Sequence, residues 1–577
     1  LSQTMKSLLL VLSLSSFSFA AEPQVETSFG PIKGFSHKTK EGKEVNVFLG
    51  IRYGKAPDHI FRFEKPELVE KWGPMLHHAT LFRASCIPHH KQGLVRENYS
   101  EDCLFLNVVS PNLKPKKLLP VVVFIHGGGF EIGDSETYGY KTASETLVSQ
   151  DIIFVSINYR LGVFGFFTTG DRVMPGNYGL WDQTLALRFL HEVLPSFGGD
   201  PNQITLMGHS AGSSSVSALM YSPHSDHLFN QAIQLSGSVF AEYSMSDYVI
   251  EESKNLAEAV GCKMMKSEQV RDCMKEKTAE ELLAGVEKIE GGRRHAHFLK
   301  FHPYFDKEFF PFEAEHMARK APKKKTLQGV TDMESGLFSL MQGVEYLTGG
   351  IHIPSERWNN FSRADLQEFM TTGVCPEVEF GRKMGPFLHL LTDFYMDREA
   401  PETPDSKFYI RRYTELISDL QFNVPVYHEI ELKRLLGWKD TFYYVIDFVS
   451  QATKKETDPL EGALHSSELR FLLDYLGQET IPHDDADRRF QKSFVSSLVA
   501  FIKTGNPSTK TLEWKPVTNE APSRHMRLNA DSKMTDEHFR QEAMDFWLKT
   551  IPQAIGTDLL KKGRLPAASA HIKHTEL

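Results

Sequence analysis

Short apolar runs alternate with helical spacing through the first half of the chain. The runs lie at residues 121–125 (VVVFI), 152–157 (IIFVSI), 204–207 (ITLM) and 232–235 (AIQL). Between them, residues 179–194 and 211–220 have the pattern of helices. Apolar strands that alternate with helices are typical of a mainly parallel sheet covered on both faces. The pattern therefore predicts an α/β fold with a central, mostly parallel sheet and helices on both of its faces.

Residues 250–420 are rich in Glu, Lys and Phe, which predicts helices and long loops inserted above that sheet. No internal repeat, low-complexity tract or linker divides the chain. At about 150 residues per domain, the length alone would suggest three or four domains. We expect one domain over residues 21–570 instead, because the chemical groups described below come from widely separated parts of the chain.

The two ends carry patterns typical of the secretory pathway. Residues 1–20 contain a lysine, an apolar run and small residues at the spacing of a cleavage site, which predicts a signal peptide. Residues 1–4 precede Met5, which is the candidate start of translation. The tail, residues 571–577, ends in HTEL and resembles the K-D-E-L retrieval signal. Together these patterns predict residence in the endoplasmic reticulum lumen through a retrieval receptor, with secretion as the alternative.

Composition narrows the possible partners. The net charge is −9 and the basic runs are short, which argues against nucleic acid, because a phosphate backbone requires clustered Lys and Arg. Beyond the signal peptide, no stretch has the roughly twenty consecutive apolar residues of a membrane span. Two N-x-S sequons, at Asn98 and Asn360, predict glycosylation.

The five cysteines are consistent with an oxidising compartment. Their spacing suggests two local disulfides, Cys86–Cys103 and Cys262–Cys273, although sequence alone allows other pairings. In the chain-entropy model, each would contribute up to about 3 kcal/mol. Cys375 is then left over, and we expect it to be a buried thiol.

Residues 208–212 (GHSAG) place Ser210 between a short apolar strand and a helix. Small residues on both sides allow a strained strand–turn–helix, which is the setting of a nucleophile elbow. The start of the helix also favours developing negative charge. A serine that merely lies between two glycines is the alternative, but this context predicts that Ser210 is a nucleophile.

A glycine-rich loop, residues 126–130 (HGGGF), directly follows the strand at 121–125. Glycines let backbone N–H groups approach the oxyanion of a tetrahedral intermediate. The loop therefore predicts an oxyanion hole built from Gly128, Gly129 and Ala211. A phosphate-binding loop is the alternative, but the G-x-G-x-x-G spacing and the Walker lysine are both missing.

These motifs, with several others, resemble the type-B carboxylesterases, the cholinesterase-like branch of the α/β hydrolases. The further matching stretches are 101–108 (EDCLFLNV), 158–166 (NYRLGVFGF), 176–183 (GNYGLWDQ), 197–202 (FGGDPN) and 504–507 (TGNP). The resemblance covers nearly the whole mature length. The resemblance implies an α/β-hydrolase fold with helical and loop insertions over an active-site gorge. It also implies a serine esterase that acts on small-molecule esters without a metal or cofactor. Neither the residues nor the resemblance indicates an oligomeric state.

The resemblance also nominates the two remaining catalytic groups. Residues 329–338 (GVTDMESGLF) match the segment that carries the acid and place it at Glu334. Residues 460–469 (LEGALHSSEL) match the segment that carries the base and place it at His465. The chain order of serine, acid and histidine is the one expected of this fold.

Three residues depart from the family pattern. His209 stands where much of the family has Glu, Ser335 where Gly is usual, and Lys307 where the family favours Gly within DGEFFP. None removes a catalytic group, so we expect them to bear on specificity and local geometry and not on the triad. We expect His209 to be structural, and His126 to hold the shape of the glycine loop.

Within the family, the resemblance is nearest to the broad-specificity carboxylesterases and gut esterases. A cholinesterase or another narrow-specificity esterase of the same family is the first alternative. In the cholinesterase branch a Trp lies ten residues before the cysteine of EDC, and Gly93 stands there in this chain. A non-catalytic adhesion protein is the remote alternative. Such proteins typically lack the serine and carry a membrane helix, whereas here all three triad positions are filled.

Overall fold

A computed structural model of the chain describes residues 22–89, 98–263, 266–289, 299–341, 349–454, 458–475 and 484–556. The predicted signal peptide, the HTEL tail and position 93 lie outside the described residues. Among the described helices, none combines the length and apolarity needed to cross a bilayer.

The strands include several two-residue pairs at the periphery. They are β1 Gln24–Thr27, β2 Gly30–Lys33, β3 Phe35–Lys38, β4 Glu44–Arg52, β5 His77–His78, β6 Ser85–Cys86, β7 Tyr99–Ser100, β8 Phe105–Ser110, β9 Leu119–Ile125, β10 Ile153–Ile157, β11 Gly199–His209, β12 Gln231–Leu235, β13 Lys325–Thr331, β14 Thr441–Ile446, β15 His525–Leu528 and β16 Lys533–Thr535.

The α-helices range from single turns to a helix of 20 residues. They are α1 Lys141–Thr146, α2 Gly162–Phe166, α3 Tyr178–Val193, α4 Ala211–Tyr221, α5 Tyr248–Ala259, α6 Ser267–Glu276, α7 Ala279–Ile289, α8 Ala314–Lys320, α9 Gly336–Leu340, α10 Arg363–Phe369, α11 Glu377–Phe380, α12 Met384–Thr392, α13 Ser406–Ser418, α14 Val424–Leu435, α15 Asp485–Thr504, α16 Gln541–Asp545 and α17 Ile551–Ile555.

The main sheet of the described chain has eleven strands in the order β16-β15-β14-β13-β12-β11-β9-β10-β8-β4-β3. Pairing is parallel from β10 across to β15. It becomes antiparallel at both ends, where β3, β4 and β8 extend one edge and β16 the other. The predicted mostly parallel sheet is therefore confirmed for the centre, and the antiparallel edges add to it.

Helices cover both faces of the sheet, as β9 illustrates. Its alternate residues Val121, Val123 and Ile125 belong to the core beneath α3 and α4. Val122 and Phe124 point the other way, into the core beneath α1 and α15. Burial on both faces explains why these strands are continuous apolar runs rather than alternating ones.

The segment predicted as helices and loops, residues 250–420, is mostly that, but it also contains β13. This strand lies in the sheet between β12 and β14. Its sequence, KTLQGVT, mixes polar residues with a glycine and so lacks the apolar run that identified its neighbours. The prediction was therefore wrong for this strand.

Both suggested disulfides are formed, Cys86–Cys103 and Cys262–Cys273. Cys375 is a buried free thiol. Asn98 and Asn360, which open the sequons, are both exposed.

Two glycines allow the tight turn between β11 and α4, and Gly212 also lets this turn lie directly on the backbone of β9. A Cβ atom added to Gly212 would stand 2.1 Å from the carbonyl oxygen of Ile125, and one added to Gly208 would stand 2.2 Å from that of Gly212. These distances are too short for any side chain. The close approach fixes where the residues of the turn must lie relative to β9.

We expect Gly212→Ala to lower the free energy of unfolding by about 1–3 kcal/mol or more, because backbone must move to admit the methyl group. Denaturant titration followed by circular dichroism measures the change. Gly385→Ala is the matched control, since a Cβ there meets nothing within 4 Å and the residue lies in α12. Equal stability of the two variants would contradict the packing argument.

Candidate active site

Ser210 occupies the strained turn between the end of β11 and the start of α4. Its backbone has φ 57° and ψ −124°, a conformation that costs a non-glycine residue about 1–3 kcal/mol. The surroundings hold it there: its N–H donates to the carbonyl of Leu235 at 2.8 Å, and its carbonyl accepts from the N–H of Ser214 at 2.9 Å. Ser210 is thereby fixed at the carboxyl end of the sheet, facing a cavity that it lines.

The glycine loop packs against this turn. A Cβ on Gly127 would lie 2.7 Å from the carbonyl oxygen of His209 and 2.9 Å from the Cβ of Ser210. Gly128 and Gly129 have φ +110° and +64°, the left-handed region that favours glycine, and both line the cavity with Ser210. Their backbone is therefore brought to the serine with no side chain in between.

Ala211 is the first residue of α4 and is fully buried. The N–H groups of a first helical turn have no acceptor within their own helix. Its N–H, like the backbone of the glycine loop, is thus a donor group close to Ser210.

His465 and Glu334 form the closest side-chain contact of the site. The Nδ1 atom of His465 lies 2.5 Å from Oε2 of Glu334, and both side chains are buried. The other carboxylate oxygen, Oε1, accepts the N–H of Thr331 at 2.7 Å. The Nε2 atom of His465 makes no hydrogen bond to any described residue, and His465 lines the same cavity as Ser210.

Backbone pairing between two loops keeps this contact in register. The loop after β13 and the loop that carries His465 form a parallel bridge at Met333 and Leu464. The N–H of His465 donates to the carbonyl of Glu334 at 3.2 Å. Two residues before His465 and Glu334 in their loops, the N–H of Ala463 donates to Oδ1 of Asp332 at 2.6 Å. The acid and the base are therefore aligned by backbone as well as by their side chains.

Burial acts on the charges of both groups. It lowers the pKa of His465 to about 3, so the imidazole is neutral at neutral pH and able to accept a proton. It also raises the pKa of Glu334 to about 7, against the hydrogen bonds that the carboxylate accepts. Because the two groups share one short contact, they titrate as a pair.

Both apolar and polar side chains line the cavity. The apolar ones include Leu299, Leu337, Phe338, Ile351 and Phe422. The rings of Phe338 and Phe422 lie 5.3 and 4.8 Å from that of His465. The polar ones include Glu131, Asp134, Thr137, Tyr138 and Tyr475. No cluster of His, Cys, Asp and Glu in the described chain is arranged to hold a metal ion.

The three departures from the family pattern have different local settings. Lys307 adopts φ +62°, in the left-handed region where glycine is favoured. Ser335 has an ordinary backbone, with φ −78°, and its N–H donates to Oγ of Ser418. His209 lines the cavity, and its ring lies 4.6 Å from that of His465. The expectation of a purely structural His209 therefore omitted its contact with the site.

Sequence reasoning missed Asp332 and the two phenylalanines that pack on His465. Asp332 lies two residues before Glu334 in GVTDMES, so the two acidic residues of that segment were a signal that could have identified it. No local sequence pattern marks Phe422 as a site residue, because it reaches the site from a distant helical segment, Asp419–Asn423. His126 was identified correctly as part of the loop, where its Nδ1 lies 2.9 Å from the carbonyl oxygen of Gly127.

Known proteins resemble this chain over nearly its full length. The Carboxylesterase family matches residues 21–547. Gut esterase 1 of Caenorhabditis briggsae is 34% identical over 544 residues, covering 94% of this chain and 94% of that protein. Gut esterase 1 of Caenorhabditis elegans is 32% identical over 94% and 95% of the two chains. Pyrethroid hydrolase Ces2a of Mus musculus is 29% identical over 93% of each. With its α/β-hydrolase fold, the chain belongs to the carboxylesterase family and is a carboxylic-ester hydrolase.

Proposed function

We propose that Ser210 is the nucleophile of this esterase, with His465 as its general base and Glu334 as the acid that orients the base. The observation that carries the proposal is the 2.5 Å contact between His465 and Glu334 beside a cavity that Ser210 also lines. The oxyanion is bound by the backbone N–H groups of Gly128, Gly129 and Ala211.

In the first half of the reaction, Ser210 Oγ attacks the ester carbonyl while Nε2 of His465 takes the hydroxyl proton. Glu334 stabilises the resulting imidazolium and fixes which ring nitrogen carries hydrogen. The tetrahedral oxyanion is held by the N–H donors. When the bond to the alcohol breaks, His465 returns its proton to the leaving oxygen, which leaves an acyl group on Ser210.

The second half repeats these steps with water. His465 takes a proton from the water that attacks the acyl carbonyl, and then returns it to Ser210 Oγ as the carboxylic acid leaves. The acyl-enzyme thus divides one difficult step into two easier ones.

We infer broad specificity towards uncharged esters. The support comes from the apolar lining residues Leu299, Phe338 and Phe422, which suit an apolar acyl or alcohol group. The similarity to gut esterases and to a pyrethroid hydrolase favours the same class. A cholinesterase needs an aromatic face for a quaternary ammonium group, and the described lining residues that could offer one are Tyr and Phe rather than Trp, the ring that attracts such a cation most strongly.

The proposed location is the secretory pathway, with the endoplasmic reticulum lumen favoured over secretion. The two disulfides and the exposed sequons at Asn98 and Asn360 support this route. The HTEL tail supports retention within it.

We expect Ser210→Ala to reduce kcat for phenyl acetate by roughly 10⁴–10⁶-fold, because the acyl-enzyme cannot form. Initial rates and a thermal melt measure activity and folding separately. Ser217→Ala is the matched control: this serine lies on the same helix, is buried, and its Oγ makes no hydrogen bond to a described residue. Full activity in Ser210→Ala would overturn the mechanism.

The acidic limb of kcat/KM should report the His465–Glu334 pair and lie near pH 7. Burial lowers the pKa of His465 and raises that of Glu334 to about 7, so as the pH falls the pair gains its first proton at the carboxyl group, and the negative charge that stabilises the imidazolium is lost. A pH-stat assay on phenyl acetate follows this limb without an ionisable chromophore. A midpoint near 4.5, the ordinary pKa of glutamic acid, would contradict the assigned environment of the pair.

Substrate class is tested with esters varied separately in acyl length and in alcohol size. We expect kcat/KM to favour uncharged esters over the choline ester with the same acyl group, because Leu299, Phe338 and Phe422 offer apolar contacts to an uncharged group. Long-chain acylglycerols extend the series. A strong preference for choline would replace the proposed subclass with the cholinesterase alternative, while leaving the mechanism on Ser210 intact.

A further inference from the structure

Strand β6 and the residues that follow it carry the wall of the Ser210 cavity to the protein surface. Ser85, Cys86 and Pro88 all line this cavity. Cys86 and Pro88 are buried, whereas Ser85 is partly exposed to solvent. A residue that both lines a cavity and contacts solvent lies at its edge. Ser85 therefore marks one side of the cavity mouth.

Asn98 lies directly against this edge. Its backbone carbonyl accepts two hydrogen bonds from Ser85, one from the N–H and one from Oγ, both at 3.1 Å. The hydrogen bonds that the described chain gives Asn98 use only its backbone, and the residue is exposed. Its side-chain amide is therefore accessible to modification beside the cavity mouth.

Strand pairing and a disulfide hold Asn98 in this place. The next residue, Tyr99, opens β7, which pairs with β6 through Ser85 and Tyr99. The disulfide Cys86–Cys103 joins the two segments a second time. Because both constraints act on the backbone next to Asn98, a group attached to its side chain stays close to the mouth.

The chemistry of such a group follows from the sequon that Asn98 opens, Asn-Tyr-Ser. In the secretory pathway, the side-chain nitrogen of the asparagine loses a proton and bonds to the anomeric carbon of a lipid-linked oligosaccharide, and the lipid diphosphate leaves. The product is a bulky, hydrophilic group on the protein surface. At Asn98, this group would occupy space beside the opening through which a ligand reaches Ser210.

The second sequon offers the same chemistry at a different place. Asn360 is also exposed, and its N–H donates to the carbonyl of Arg357 at 3.0 Å. Neither of these two residues lines the cavity. Of the two sequons, only the one at Asn98 is hydrogen-bonded to a described residue of the cavity wall.

We infer that an N-linked glycan on Asn98 stands at the mouth of the Ser210 cavity and limits the size of the ester that enters it. A small ester fits inside the mouth. An ester with a bulky alcohol or acyl group extends to the mouth, where it restricts the glycan at a cost in conformational entropy. The inference rests on the proposed function in one respect, because it takes this cavity as the place where the ester is cleaved.

The test compares Asn98→Gln with the unaltered protein, both made in a host that glycosylates secreted proteins. The substrates are acetate esters whose alcohol grows from phenol to a large polycyclic alcohol. We expect kcat/KM for phenyl acetate to stay unchanged and that for the bulkiest ester to rise several-fold in Asn98→Gln. The rise should appear as a lower KM with kcat unchanged, because the glycan affects binding and not the chemical step. An unchanged KM for the bulkiest ester would overturn the inference.

Two matched variants separate the position of the glycan from general effects of glycosylation. Asn360→Gln removes the other sequon and should leave the preference for ester size unchanged. Ser100→Thr alters β7 but keeps both the sequon and a hydroxyl at the position that accepts the N–H of Asp102. It should behave like the unaltered protein. An equal rise in either variant would refute a role of the glycan at the mouth.

Two measurements keep the test independent of variant folding. Mass spectrometry of the peptide that contains Asn98 should show the glycan, and an unmodified peptide would overturn the inference. Trimming the glycan of the folded protein to a single sugar with an endoglycosidase should reproduce the lower KM for the bulkiest ester. The same KM before and after trimming would contradict the steric argument.

A binding measurement distinguishes failure of the inference from failure of the proposed function. If Ser210→Ala retains activity, the proposed mechanism is wrong. The affinity of the protein for a bulky ether, which has the shape of the ester but cannot be hydrolysed, still tests the glycan. Tighter binding after trimming supports its place at the cavity mouth, and equal binding refutes it.

Discussion

The backbone contact between the β11–α4 turn and β9 constrains the rest of the site. Gly212 lies so close to the carbonyl oxygen of Ile125, and Gly208 so close to that of Gly212, that neither position has room for a side chain. With the turn pressed against β9, Ser210 has to take a backbone conformation that only a rigid surrounding maintains. The same contact places the glycine loop, which directly follows β9, within van der Waals distance of the serine. Nucleophile and oxyanion donors are thus positioned by one packing constraint.

Parallel strands add the remaining groups at the same edge. β11, β13 and β14 run in the same direction, so the loops that follow them meet at their carboxyl ends. Glu334 follows β13 by three residues. His465 lies further along the chain after β14, and its loop is bridged to the acid at Met333 and Leu464. The sheet therefore converts three distant segments into one site.

Where the signal is local, sequence patterns predicted the strands and helices around the site correctly. Ser210 and the glycines are read from a strand–turn–helix and from a loop after a strand, and both elements are where the pattern predicts them. β13 was not predicted because it contains polar residues. A strand in the interior of a sheet can hold polar residues where their side chains hydrogen-bond to a helix that covers the sheet. Gln328 does so, since it accepts from Nζ of Lys433 in α14. No residue pattern encodes that long-range partner.

The contacts behind His465 could not be predicted from local sequence patterns either. They explain why His209, a departure from the family pattern, is compatible with the site. A glutamate at position 209, the usual residue of the family, would add a third buried carboxyl group near Glu334 and Glu468. Burial, followed by His465, lowers the pKa of His209, so its imidazole is neutral, and its Nε2 atom lies 3.3 Å from Oγ of Ser466. The histidine therefore adds no charge beside the base, and the backbone turn that carries Ser210 fixes its ring 4.6 Å from that of His465.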